Sequence, residues 1–263
     1  MVIPFIQQPL YEGAWLQVDR AKKHVAEFNS ELQRFADSDP YSVVIQPELA
    51  PGLQMMEITV RETFPRNLAP IVGDAVHNLR SALNLLAYDL VRRETRREPP
   101  SNVQFPLASS SEHLERVIVD RGIHLAGPSV VRAVRELKPY TGGDDLLCAL
   151  HDLDITGKHH SLIRAQWALN IHRGDPSINE LLVIPHGYTK GVHPMPLGVP
   201  NDLPVNKELK PGIQIWFGPG PTATQGKEIA PTLVQFTELV SEIVRSFEKS
   251  FPTPAGFNVM PVQ

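Results

Sequence analysis

The sequence predicts an α+β domain, mainly a helical bundle with a small antiparallel β-sheet, and three observations carry that prediction. Apolar residues recur at three- and four-residue spacing in long segments near both ends and in the first third of the chain. Short β-branched or alternating runs stand between them, bounded by turn residues. No repeat, heptad array of coiled-coil length or low-complexity block competes with that reading.

A chain of 263 residues, 42% of them hydrophobic, can bury a substantial core, and residues 1–263 read as one domain. The formal charge of −4 with 21% charged residues excludes a global basic surface of the kind that holds duplex DNA through its phosphates. A local RNA-binding groove stays open. Cys148 is the single cysteine, which excludes an intrachain disulfide and a zinc site built on paired cysteines, and suits a reducing compartment. The opening stretch "MVIPFIQQPLYEG" has neither a basic leader nor a sustained apolar segment. Nowhere does an apolar run reach the roughly 18 residues of a membrane span. The expectation is a soluble, cytoplasmic protein without a membrane partner.

Taken in order, residues 12–37 place Trp15, Val18, Val25, Phe28, Leu32 and Phe35 at helical spacing, with a stop before Pro40. "YSVVIQPEL" and "LQMMEITVRETF", parted by "APG", predict a β-hairpin. A helix from about Pro65 to Arg97 carries a broad apolar arc from Leu68 through Leu79, Leu83 and Leu86 to Leu90. It ends in "RRETRRE", read as a solvated terminus whose positive charge complements the helix dipole, with a phosphate-binding patch as the alternative. Shorter helices follow at about 110–120 and 128–138, the second opened by Pro128. "DDLLCALHDLDI" begins with acidic residues suited to a helix N-terminus, and Gly157 is the expected stop. "SLIRAQWALNIH", "INELLVIPH" and "GIQIWFG" predict strands that pair antiparallel. The proline-rich part of the region at about 161–225 is expected to be irregular connection. Residues 231–251 form a last amphipathic helix able to pack beside the first.

Several enzyme signatures are excluded. "GPTATQGKE" separates its two glycines by five residues where a phosphate loop has four, and Glu228 stands where Ser or Thr would bind magnesium. There is no G-x-S-x-G elbow, no H-E-x-x-H and no dinucleotide glycine fingerprint.

What remains is a two-part constellation. At 100° per residue, His77, Asn84 and Tyr88 share a sector opposite the apolar arc of their helix, with Arg80 beside them. In the later helix His151, Asp154 and Lys158 share a face, and His159 and His160 follow. If the two faces meet they form a polar cleft. An imidazole titrates near neutrality, Asp154 could orient it, and Arg80 or Lys158 could stabilise developing negative charge. His151, Asp154 and His159 are suitable metal ligands by type but match no known ligand spacing, so no metal or cofactor is assigned. The plainer alternative is that these residues are the wet faces of amphipathic helices and that "KHH" is a capping and turn segment.

"GDAVHNLRSALNLLAYDL", with "FPL" at 105–107, "LKPY" at 137–140 and "LHDLDITGKHH" at 150–160, resembles an uncharacterised family common in actinobacteria. The core helix of that family reads H-N-L-R-S-A-L-D-H and its later helix ends N-x-D-K-H-R. Its arginine and histidine are in turn similar to the Arg-x4-6-His signature of HEPN domains, helical modules often found in RNA-cleaving toxins. Arg80, Lys158 and His159 match these patterns. Leu85 takes the histidine position, Asn84 that of the aspartate before it, and Gly157 that of the later aspartate. The resemblance implies a HEPN-like protein with a degenerate site, acting as a binding or regulatory module with RNA or as a homodimer. The residues themselves also allow a small-molecule hydrolase or lyase using His77, Arg80, Asn84, His151, Asp154, Lys158 and His159. A third reading is a structural or interaction protein in which the polar set only specifies helix packing.

Overall fold

The computed structural model describes residues 9–46, 54–159, 165–172, 179–183, 190–197, 208–209 and 212–257, with 157–159 and parts of the strands described by backbone alone. In chain order the elements are α1 (Glu12–Asp37), β1 (Tyr41–Ile45), β2 (Gln54–Val60), α2 (Leu68–Thr95), α3 (Ser111–Asp120), α4 (Pro128–Glu136) and α5 (Asp145–His159), then β3 (Ala165–His172), β4 (Asn179–Val183), β5 (Gly191–Leu197), β6 (Glu208–Leu209), β7 (Gly212–Phe217) and α6 (Ile229–Ser250). The α+β class holds: the chain is mainly helical and its strands pair antiparallel. No described helix is long and apolar enough to cross a membrane.

The central element is α2. Leu79, Leu83 and Leu86 are 0% exposed, and each such side chain contributes about 1.5–3 kcal/mol by leaving water. Pro70 sits in the first turn, where a missing N–H breaks no intrahelical bond. The helix ends at Arg96, whose φ of 56° is left-handed and whose N–H closes on the Arg92 carbonyl. Both α1 and α6 lie against it and against each other, with the Trp15 indole N–H donating to Glu248 at 2.9 Å. Their buried residues and those of β1, β2 and α5 form one continuous apolar cluster.

The arginine run at the end of α2 is less solvated than its charge implies. Arg92 pairs with buried Asp89 at 3.0 Å, and Arg93 donates to the Pro252 carbonyl at 3.1 Å. The guanidinium groups of Arg92 and Arg96 lie over the Phe257 ring, and that of Arg93 over Phe251. The run therefore clasps the segment after α6 onto α2.

The hairpin forms as its alternation predicts, from Tyr41↔Val60 to Ile45↔Met56, burying Val43, Ile45, Met56, Ile58 and Val60 on one face. The strands form two sheets where one was expected, in the orders β5-β2-β1-β6 and β4-β3-β7. "GVHPMPL", expected to be irregular, is β5, an edge strand on β2. Pro194 and Pro196 are two residues apart, so both missing donors fall on the same side of the strand, and the open edge accommodates them. The rest of the proline-rich stretch lies outside the described residues.

Gly157 does not stop α5, which runs on through Lys158 to His159. Glycine inside a helix costs only about 1 kcal/mol relative to alanine, too little to end one by itself. At the other end the Asp144 carboxylate accepts the Leu147 N–H at 2.9 Å and caps the helix. The segment 103–108 lies beside this helix and α2. It is tied to the approach to α5 by the Ala108 N–H on the Pro139 carbonyl and the Thr141 N–H on the Ala108 carbonyl.

Candidate functional site at the junction of α2 and α5

Two cross-links join the polar faces of α2 and α5. His77 Nδ1 lies 2.9 Å from Asp154 Oδ1, and Arg80 Nε donates to His151 Nδ1 at 3.2 Å. Residue numbers rise along one helix as they fall along the other, so the helices are antiparallel there. Each step of three residues advances about 4.5 Å along the axis, which places the two cross-links on adjacent rungs. The shared centre expected from residue spacing is therefore present.

Arg80 departs from the wet face assigned to it. The residue is 3% exposed, with Nη2 donating to the Phe105 carbonyl at 2.9 Å in addition to the Nε bond. One helical turn on, Asn84 Oδ1 accepts the Phe105 N–H at 3.1 Å, so a single helix grips both backbone groups of Phe105. Among the described residues Arg80 Nη1 has no hydrogen-bond acceptor. Burial pushes the guanidinium down to about 10, with Asp154 opposing the shift and the Arg121 charge adding to it.

The chemistry of the partners fixes where the imidazole protons sit. An ionised carboxylate only accepts, so His77 must carry a proton on Nδ1. A guanidinium only donates, so His151 must present a bare Nδ1 and hold its proton on Nε2. The Asp154 side chain is 5% exposed and that of His77 is 52% exposed. With Nδ1 turned to the buried carboxylate, the ring edge that meets water carries Nε2. A neutral imidazole so held offers a lone pair at Nε2, backed by an oriented negative charge.

Of the residues singled out from sequence, His77, Arg80, Asn84, His151 and Asp154 converge here. The side chains of Lys158 and His159, and all of His160, lie outside the described residues. Tyr88 leaves the group and donates to the Glu98 carboxylate. Leu85, at the HEPN histidine position, is half-buried against the apolar core and sits about 140° around α2 from Arg80. Sequence reasoning missed the Phe105 backbone as the partner of Arg80 and Asn84. The only trace of it is the recurrence of "FPL" among the quoted motifs.

Among the described residues no three His, Cys, Asp or Glu side chains converge as metal ligands. No family model matches the chain, and neither a curated protein nor a solved structure matches it.

Proposed function

We propose that this protein is a small-molecule hydrolase or lyase in which His77 is the general base and Asp154 holds it. The observation that supports this most is the pairing of a half-exposed imidazole with a buried carboxylate at 2.9 Å. That arrangement leaves Nε2 facing solvent as the proton acceptor, and Asp154 stabilises the imidazolium that forms when a proton is taken from water or substrate. Arg80 stands behind the pair, where its charge favours the ionised form of Asp154.

A HEPN-like binding module would use Arg80 against an RNA phosphate. The guanidinium is buried and spends two of its nitrogens on His151 and Phe105, so the geometry gives that role less support. Turnover of nitrophenyl esters, a phosphodiester and a single-stranded RNA by wild type, His77→Gln and Asp154→Asn separates the readings. Base catalysis by His77 predicts a loss of about 10²–10⁴-fold in His77→Gln on whichever substrate turns over. Turnover untouched by either substitution contradicts it. Salt-sensitive RNA binding without turnover favours the binding module.

A further inference from the structure

We propose that Arg80 is a positioning residue whose Nε–H holds His151 in the Nε2–H tautomer, so that the two imidazoles of the centre carry their protons on opposite ring nitrogens. The functional sense of this rests on the proton-transfer reading above, while its test does not. A guanidinium has five N–H groups and no lone pair, so the 3.2 Å contact is attractive only when His151 Nδ1 is bare. A proton there would set two donors and two positive charges against each other. Arg80 has little freedom to retreat from such a clash. Its Nη2 is bonded to the Phe105 carbonyl, the residue is 3% exposed, and Phe105 is itself held by Asn84 from the same helix. The rung below is set by the opposite chemistry, because Asp154 accepts from His77 Nδ1.

Long-range 1H–15N correlation spectra of 15N-labelled protein at neutral pH read both tautomers directly. Wild type is expected to show His151 with a bare Nδ1 and a protonated Nε2, and His77 with the reverse. In Arg80→Met the His151 nitrogens should move to the averaged shifts of a free imidazole while His77 stays as it was. Arg80→Lys, which keeps a donor, should restore the preference in part. Asn84→Ala perturbs the same segment without removing the Arg80–His151 contact, and His151 should keep its tautomer there. A wild-type spectrum with the proton on His151 Nδ1 overturns the proposal with no variant needed, as does a His151 spectrum unchanged in Arg80→Met. Loss of activity in His77→Gln is a separate measurement, so failure of the catalytic reading leaves this result standing or falling by itself.

Discussion

Asn84 accepts the backbone N–H of Phe105 at 3.1 Å, across 21 residues of chain and from the same helix whose Arg80 holds the Phe105 carbonyl. Replacing the amide by a methyl leaves a partly buried N–H without its acceptor. Asn84→Ala should therefore cost about 1–2 kcal/mol, read as a lower urea midpoint at unchanged slope.

Removing Arg80 should be more damaging. Arg80→Ala strips a donor from both His151 and Phe105 and takes a positive charge from the neighbourhood of buried Asp154. The expected cost is about 3–5 kcal/mol, as for breaking a buried charge network, and calorimetry or denaturant unfolding measures it. Burial already disfavours the charged guanidinium, so Arg80→Met, which fills the space without charge, should cost less than Arg80→Ala.

Cys148 is 8% exposed and its thiol is pushed up to about 11, first by burial and then by the charges of Asp152, Asp144 and Asp145. It borders a cavity of about 420 Å³ that also touches Asp145, Asp152 and Thr222, on a different face of α5 from the histidine centre. A thiol reagent at pH 8 should modify the folded protein slowly and the unfolded protein fully. The folded value is raised, so its contribution to stability is complete below the unfolded value of 9.0 and is lost as pH rises through about 11. Cys148→Ser should remove that part of the alkaline slope.

The segment after α6 is fixed by the arginines of α2, and the Tyr11 hydroxyl donates to the Phe251 carbonyl. Phe257→Ala removes the ring under Arg92 and Arg96. It should lower stability by about 1 kcal/mol and speed amide exchange in residues 252–257, with little change at α5.

Helix positions were legible because apolar spacing over four or more turns leaves little choice of face, as in α1, α2 and α6. The meeting of His77 and Arg80 with Asp154 and His151 was also legible, since three-residue steps on two helices can align only as rungs. The burial of Arg80 was not. A helical wheel shows what lies opposite an apolar arc but not that a second helix and the 103–108 segment cover it. Phe105 was invisible for another reason: it contributes backbone groups, which leave no mark on residue type. Strand β5 was hidden by Pro194 and Pro196, whose cost depends on whether the strand lies at an edge, a fact of the sheet and not of the strand.

The most direct test of the centre is the protonation pattern of the His77 ring, read from its 15N shifts in wild type and in Asp154→Ala. A proton-transfer site built on this pair predicts a proton held on Nδ1 and a bare Nε2 in wild type, with the preference lost once the carboxylate is gone. A His77 ring that carries its proton on Nε2, or that behaves identically in both proteins, contradicts it.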